Sequence, residues 1–157
     1  TAALRPALGR GSRVVNVSSV GHVGARLDLD RVADPPRYKA VRAYFDAKLC
    51  NILFTRGLHE RLSGEGITAN SLHPGAIGSG FAQDEAGAFN TLMKVGKRFL
   101  LTPSKGARTS VFLCVDPSVE GVSGHYFARS KRAWASPQAR SQRLVDGLWA
   151  MSERLAS

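Results

Sequence analysis

The chain has 157 residues, enough for one domain with a hydrophobic core. Hydrophobic residues make up 43% of the sequence and charged residues 22%, which fits an ordinary globular protein. No run of about eighteen apolar residues is present, so no segment is predicted to span a membrane. The formal net charge is +10, but the Lys and Arg residues are scattered, so we expect a basic surface that does not bind nucleic acid.

Two cysteines, Cys50 and Cys114, lie within helix-like patterns. They show neither a CxxC motif nor the spacing with histidine that is typical of a metal site. We therefore expect small buried hydrophobic side chains in a reducing compartment, and a cytoplasmic protein. The four histidines are also dispersed along the chain, so the sequence predicts no metal.

The first half of the sequence predicts two strands on either side of a long helix. TAALRPAL resembles the end of a helix, and RVVNVSS predicts a short buried strand that ends near Ser18. After an irregular segment, apolar residues recur at helical spacing over about 38–62, and Gly64 is expected to end this helix. Residues 67–72 predict the second strand, which Pro74 and Gly75 end.

Residues 76–101 are interrupted by glycines and leave two interpretations open, a mobile lid or a loosely packed surface helix. Thr102 is expected to cap a helix that begins at Pro103 and ends before Asp116. SGHYFAR predicts a third strand, and Pro137 is expected to open a terminal helix. The alternation of strands and helices predicts the α/β class, a parallel sheet of three strands with flanking helices.

Tyr44 and Lys48 are four residues apart, so they lie one turn apart on the same side of the long helix. Taken alone, this spacing describes a surface pair worth about 0.2–0.5 kcal/mol. A free phenol, with a pKa of about 10, is a poor base at neutral pH, whereas a neighbouring ammonium favours the phenolate. Together with NVSS at the end of one strand and HPG at the end of the next, the pair predicts a proton-transfer site.

These motifs resemble the short-chain dehydrogenase/reductase family, and within it the retinol dehydrogenase branch. The resemblance is carried by SRVVNVSSVGHVG, YFDAKLCNILFTRGLHERLSGEGITANSLHPGAIGS and SGHYFARSKRAWASPQAR. It covers nearly the whole chain but only the carboxyl-terminal half of the family's doubly wound, Rossmann-type fold. It implies that 1–157 is a single partial domain without the amino-terminal dinucleotide-binding half. It also implies an oxidoreductase that interconverts an alcohol and a carbonyl on a lipophilic small molecule, with NADP or NAD as cofactor.

The resemblance also implies the roles of particular residues. Ser19, rather than Ser18, would orient the substrate oxygen, and Tyr44 would be the acid/base. Lys48 would hold the cofactor ribose hydroxyls, which Tyr44 also approaches, and would favour the ionised phenol. PGAIGS is similar to the family's Pro-Gly-x-x-x-Thr pattern, which implies further cofactor contacts at Pro74, Gly75, Ile77 and Ser79. Residues 81–101 would form the substrate-binding region.

The sequence departs from the family at the nucleotide-binding turn. GRGSRVVN precedes a strand, which is the wrong context for a phosphate-binding turn, and the family's catalytic asparagine is not matched. We therefore expect the chain to be part of a longer oxidoreductase. Two alternatives stay open: a non-catalytic remnant or structural subunit, and a basic anion-binding module.

The remaining side chains are given ordinary roles, and Asp46 is interpreted as a solvated charge on the long helix. Trp134 and Trp149 are expected in the core or an interface. If the chain forms a homo-oligomer, Phe54 and Leu58 are the expected contacts, because the family's corresponding helix commonly forms a dimer face. His73 is expected to pack or hydrogen-bond at the end of the second strand.

Overall fold

The computed structural model of the chain describes residues 2–32, 38–75 and 102–156. Within them one sheet contains β1 (Arg13–Val17), β2 (Thr68–His73), β3 (Tyr126–Ala128) and β4 (Lys131–Arg132), adjacent in that order. The first three strands are parallel, and β4 runs antiparallel to β3. The predicted α/β class is therefore confirmed, whereas the expected number of three strands is wrong. β4 has only two residues, both exposed, so it carries no alternating pattern that a sequence reader can detect.

The described residues form three α-helices: α1 (Ala40–Leu62), α2 (Pro103–Val115) and α3 (Gln142–Ala156). Short 3-10 helices lie between these elements, at Ala2–Ala7, Val20–Gly24, Ser63–Glu65, Pro117–Val119 and Gln138–Arg140. The terminal helix was expected from Pro137, but a 3-10 turn occupies that position and α3 begins only at Gln142. None of the helices in these parts of the chain is long and apolar enough to cross a membrane.

The ends of α1 and α2 differ in how well the sequence predicts them. The Thr102 side chain accepts a hydrogen bond from the Lys105 N–H at 3.4 Å, and α2 begins at Pro103, as expected. α1 ends at Leu62, as expected, but Gly64 is not the glycine that ends it, because Gly64 lies within the 3-10 turn Ser63–Glu65 that follows. The left-handed residue is Gly66, with φ of 75°, which turns the chain towards β2.

Both faces of the sheet are covered. Ala69 of β2 packs with Leu58 and Leu62 of α1, whereas Leu72 of the same strand packs with Leu113 of α2. Because residues an odd number apart on a strand point to opposite faces, α1 and α2 lie on opposite sides of the sheet. The parallel strands are therefore buried between helices, the usual arrangement for a sheet of this type.

α1 lies between the sheet and α3 and contributes to two clusters of buried side chains. Leu49 and Leu53 have no exposed surface, and they pack with Leu144 and Leu148 of α3. The helical spacing of the apolar residues in this segment is therefore confirmed as the inward face of α1. This packing fixes the rotation of α1 about its axis, and with it the side on which Tyr44 and Lys48 are presented.

The structure gives the packing of several side chains for which the sequence made expectations. Leu58 is only 2% exposed, and the Phe54 ring stacks on the Trp149 ring with centroids 5.6 Å apart, so both residues pack within the chain, and their part in an oligomer interface stays a prediction. Trp134 is 60% exposed, so it does not belong to the core, and the other expected place, an interface, stays a prediction. Cys114 is exposed rather than buried.

Candidate active site

The carboxyl ends of β1 and β2 lie side by side at one edge of the sheet. Val17 is paired with Leu72 in the parallel register, and the Ser18 N–H donates to the Leu72 C=O at 2.7 Å. The Val20 N–H donates to His73 Nδ1 at 3.3 Å, which confirms the expected hydrogen bond at the end of β2. The residues that follow the two strands are therefore brought together, at the edge where open parallel sheets bind their ligands.

Ser19 begins the irregular segment after β1, residues 19–27, which we call the Ser19 segment. Its backbone is extended, with φ of −157° and ψ of 158°, and it caps the 3-10 helix Val20–Gly24. The Ser19 Oγ accepts a hydrogen bond from the Gly21 N–H at 3.1 Å. A hydroxyl that accepts one hydrogen bond still has a proton to donate. Ser19 can therefore donate to a further oxygen atom.

Ser18 has a different role from its neighbour. Its side chain is buried, and its hydroxyl donates to the Lys48 C=O at 2.6 Å. This hydrogen bond joins the end of β1 to α1 at the residue that carries the ammonium group. The Ser18 hydroxyl is directed at the helix backbone.

Tyr44 and Lys48 lie one turn apart on α1, as the spacing predicts, and their side chains are adjacent. The Lys48 Nζ lies 5.5 Å from the centroid of the Tyr44 ring, within the range of an attraction between a cation and an aromatic ring. The same ammonium donates a long hydrogen bond of 3.5 Å to the Val17 C=O, which also accepts from Asn51 Nδ2 at 2.9 Å. The end of β1 thus holds the ammonium beside the phenol.

Gly21 connects Tyr44 to the Ser19 segment. A Cβ atom added at Gly21 would lie 3.1 Å from Tyr44 Cε1 and 2.9 Å from Phe45 Cδ1, closer than ordinary contact. The absence of a side chain at Gly21 therefore lets the Ser19 segment approach the Tyr44 ring. The Gly21 N–H is bonded to Ser19 Oγ, so the segment that carries Ser19 lies beside the Tyr44 ring, and the Lys48 ammonium lies near the same ring. We call Ser19, Tyr44 and Lys48, with a hydroxyl, a phenol and an ammonium, the constellation. Such a set can move a proton at a substrate oxygen.

The expected cofactor-binding residues fall into two groups. Pro74 and Gly75 follow β2 directly at the same edge of the sheet, and Gly75 has a positive φ of 96°. Ile77 and Ser79 lie outside the described residues, as does the segment 81–101 that was expected to bind substrate.

Asp46 is not the solvated charge that the sequence suggested. It is buried, its Oδ1 accepts a hydrogen bond from the Arg26 N–H at 3.0 Å, and it forms an ion pair with Arg42 at 3.4 Å. Arg42 in turn donates to the Arg26 C=O at 2.7 Å. These two side chains of α1 therefore bind both backbone groups of one residue of the Ser19 segment. The i,i+4 spacing of opposite charges was the signal available in the sequence.

Sequence reasoning also missed two side chains that hold the Ser19 segment. Both ring nitrogens of the buried His22 are hydrogen-bonded, Nδ1 to the Ser19 C=O at 2.7 Å and Nε2 to the Ser136 N–H at 3.2 Å. Gln138 donates to the Ala25 C=O at 3.3 Å and accepts from the Leu27 N–H at 3.2 Å. No local pattern reveals these contacts, because Ser136 and Gln138 are more than a hundred residues away in sequence.

Burial dominates the electrostatics around the constellation. It is the main reason why the pKa of His22 and the pKa of His73 are lowered, with nearby positive charge as a further cause for His73. Burial, and to a smaller extent Tyr44, raises the pKa of Tyr126 to about 12. Burial and then Asp46 raise the pKa of the Cys50 thiol to about 11. In the described parts of the chain, no three His, Cys, Asp or Glu side chains are grouped to hold a metal ion.

Curated proteins with similar sequences include retinol dehydrogenase 12 from Homo sapiens, 37% identical over 141 residues. They also include a WW domain-containing oxidoreductase from Danio rerio, 38% identical over 152 residues. The matches cover 90% and 92% of this chain but only 44% and 37% of those relatives. The chain therefore spans less than half the length of these relatives. No family model matches the sequence.

Solved structures agree with the fold. An uncharacterized protein from Mycobacterium paratuberculosis superposes with a TM-score of 0.69 and 26% identity, over 96% of this chain and 52% of that chain. The N-domain with NADP of a bacterial malonyl-CoA reductase gives a TM-score of 0.51 and 26% identity, over 78% of this chain and 24% of that chain. Taken together with the curated relatives, these similarities show that the chain belongs to the short-chain dehydrogenase/reductase family.

Proposed function

We propose that this chain supplies the acid/base part of an NAD(P)-dependent oxidoreductase that interconverts an alcohol and a carbonyl on a lipophilic small molecule. The observation that carries the proposal is the Lys48 ammonium 5.5 Å from the Tyr44 ring centroid, beside the segment that presents Ser19. The names of the curated relatives, retinol dehydrogenases among them, support the reaction class and the lipophilic substrate.

In this proposal the proton moves between Tyr44 and the substrate oxygen. The Lys48 ammonium stabilises the phenolate that forms when the proton leaves the phenol, because opposite charges attract strongly at short range. The Ser19 hydroxyl, whose oxygen already accepts from Gly21, donates its proton to the substrate oxygen and orients it. A proton transfer positioned in this way contributes about 10²- to 10⁴-fold to the rate.

The residues present fit the nicotinamide riboside part of NAD(P). Among the described residues, the Lys48 ammonium donates one hydrogen bond, the long one to the Val17 C=O. Two of its three N–H donors are therefore available for ribose hydroxyls. Tyr44 would approach the same hydroxyls, and Pro74, Gly75, Ile77 and Ser79 would contact the carboxamide side of the nicotinamide. The chemistry that NAD(P) supplies when bound is hydride transfer at the substrate carbon. The NADP in the malonyl-CoA reductase N-domain supports this choice of cofactor.

The adenosine and pyrophosphate parts of the cofactor have no matching feature in this sequence. A phosphate-binding turn needs glycines between a strand and the start of a helix, and the glycines of GRGS instead precede β1. We therefore propose that residues 1–157 form a partial domain, the carboxyl-terminal half of the family's fold. Their coverage of 44% of retinol dehydrogenase 12 supports this proposal.

The test uses the longest reading frame that contains these residues and compares Tyr44→Phe with Tyr38→Phe. Tyr38 is 71% exposed, which makes it a matched control for the loss of a phenol. We expect Tyr44→Phe to lower kcat by at least about 10²-fold while NADPH binding changes little, and Tyr38→Phe to retain full turnover. Retained turnover in Tyr44→Phe would contradict the role of Tyr44.

The binding of NADPH also tests the proposal that residues 1–157 form a partial domain. Titration of the 157-residue chain alone with NADPH should show much weaker binding than the longer polypeptide, because the platform for adenosine and pyrophosphate is missing. Micromolar binding by the short chain would refute the partial domain. A reading frame that adds no dinucleotide-binding segment, together with no turnover, would favour the non-catalytic remnant.

We also propose a cytoplasmic location. Cys50 and Cys114 are both free thiols, which fits a reducing compartment. Fractionation of cells that express the longer polypeptide tests the location, and recovery only with membranes would contradict it.

A further inference from the structure

We propose that His22 is a positioning residue for Ser19, and that it acts through one neutral tautomer with the proton on Nδ1. The proposal deepens the function above, since it concerns how the hydroxyl that meets the substrate oxygen is held. His22 is 1% exposed, so both ring nitrogens must be satisfied within the protein. Neither nitrogen is directed towards Tyr44 or Lys48, which leaves positioning rather than proton transfer as its role.

The hydrogen-bond partners of His22 determine its tautomer. The Ser136 backbone N–H can only donate, so His22 Nε2, at 3.2 Å from it, must carry the lone pair. The Ser19 C=O can only accept, so His22 Nδ1, at 2.7 Å from that oxygen, must carry the proton. An imidazolium would direct an N–H at the Ser136 N–H and lose this bond. The neutral ring is therefore the form that fits.

The His22 ring connects Ser19 to the segment before α3. The Ser19 C=O accepts from both the backbone N–H of His22, at 3.2 Å, and its Nδ1. At the other side of the ring, the Ser136 hydroxyl accepts a hydrogen bond at 3.3 Å from the N–H of Ala139, which lies in the 3-10 helix Gln138–Arg140. Gln138 then holds the Ala25 C=O and the Leu27 N–H. His22 is thus the first of the contacts that fix the Ser19 segment to this helix.

Burial lowers the pKa of His22 and so favours the neutral ring, and the titratable groups around it do not offset this effect. From β3, Tyr126 packs edge-on with ring centroids 4.9 Å apart, and its pKa is raised to about 12, so it stays neutral. From β2, His73 has a pKa that is lowered mainly by burial, so it is neutral near pH 7. The charged pair of α1, Arg42 and Asp46, is bonded to Arg26. No acidic partner that would favour an imidazolium is bonded to His22 in the described residues.

The first test reads the tautomer directly. The 157-residue chain is labelled with 15N-histidine, and the ring nitrogens are observed by 15N–1H correlation at pH 7. The assignment uses His22→Asn, which removes the signals of His22 alone. We expect a neutral imidazole with the proton on Nδ1. A proton on Nε2, or an imidazolium at pH 7, would overturn the proposal.

The second test separates positioning from general stability with three variants in the longer polypeptide. In His22→Asn the side-chain amide can still donate to the Ser19 C=O, in His22→Gln it reaches only towards Ser136, and in His22→Ala both bonds are lost. We expect His22→Ala to lower kcat by about 10- to 100-fold with an unchanged KM for the cofactor, because a shift of the reacting group costs about that much. His22→Asn should recover most of that loss and His22→Gln should not. His125→Ala, at an exposed histidine, is the control.

The outcomes of the two tests can be told apart from a failure of the proposed function. An unchanged kcat in His22→Ala, or a His22→Asn variant no better than His22→Ala, would overturn the positioning role and leave Tyr44 in place. Retained turnover in Tyr44→Phe would contradict the proposed function while the Nδ1–H tautomer still stood as a structural result.

Discussion

The Ser19 segment and the β3–β4 hairpin satisfy their backbone groups in opposite ways. In the Ser19 segment, side chains from α1 and from the residues before α3 bind the Ala25 C=O, both backbone groups of Arg26 and the Leu27 N–H. In the hairpin, strand pairing does this, and the pairing of Ala128 with Lys131 leaves a turn of only two residues. Hydrogen bonds from individual side chains therefore fix the conformation of the Ser19 segment, whereas strand pairing fixes the conformation of the hairpin.

The hairpin requires an unfavourable backbone conformation at its two turn residues. Arg129 and Ser130 have φ values of 51° and 57°, in the left-handed region that favours Gly and Asn. The Ser130 N–H donates to the hydroxyl of the buried Thr109 on α2, at 3.2 Å, which holds the turn against the helix. The Ser19 segment differs in both respects. Its residues adopt no left-handed conformation, but its backbone depends on hydrogen bonds from residues that are distant in sequence.

The largest effect is expected where a charged side chain holds the Ser19 segment. Asp46→Ala removes the acceptor of the Arg26 N–H and the ion-pair partner of Arg42, and should lower the free energy of unfolding by about 2 kcal/mol. Asp46→Asn keeps an acceptor oxygen and should cost less. Urea unfolding of the 157-residue chain measures both, with Asp30→Ala at an exposed carboxylate as the control. Equal midpoints for Asp46→Ala and the control would mean that side chains do not hold this segment.

A smaller loss is expected from a change in backbone contact within the same segment. A Cβ atom at Gly24 would lie 2.8 Å from Phe45 Cδ2, so Gly24→Ala must displace the ring. We expect Gly24→Ala to lower the free energy of unfolding by about 1 kcal/mol. This value is at the low end for overpacking, because the half-buried ring has room to shift. Gly64→Ala, where no heavy atom lies within 4 Å, is the matched control and should be nearly neutral. A Gly24→Ala chain as stable as the control would show that the segment is held more loosely than its contacts suggest.

The contrast between short-range contacts and contacts with residues distant in sequence explains which parts of the structure the sequence predicts. The Thr102 cap, the inward face of α1 and the adjacency of Tyr44 and Lys48 depend on residues within a few positions of one another, and each was predicted. The contacts of His22 with Ser136 and of Gln138 with Ala25 join residues more than a hundred positions apart, so no local pattern carries them. β4 was missed for another reason, since its two residues are too few to show a period.

The smallest expected effect has the opposite sign and lies in the hairpin. Ser130→Gly places a residue without a Cβ atom at a φ of 57°, while the backbone N–H that Thr109 accepts is retained. We expect the free energy of unfolding to rise by about 0.5 kcal/mol, the relief of left-handed strain being partly offset by the greater freedom of glycine in the unfolded chain. Ser141→Gly, at a φ of −75° where glycine relieves no strain, should instead lower stability. If the two substitutions changed the unfolding midpoint in the same direction, the hairpin turn would not be strained, and the contrast with the Ser19 segment would not hold.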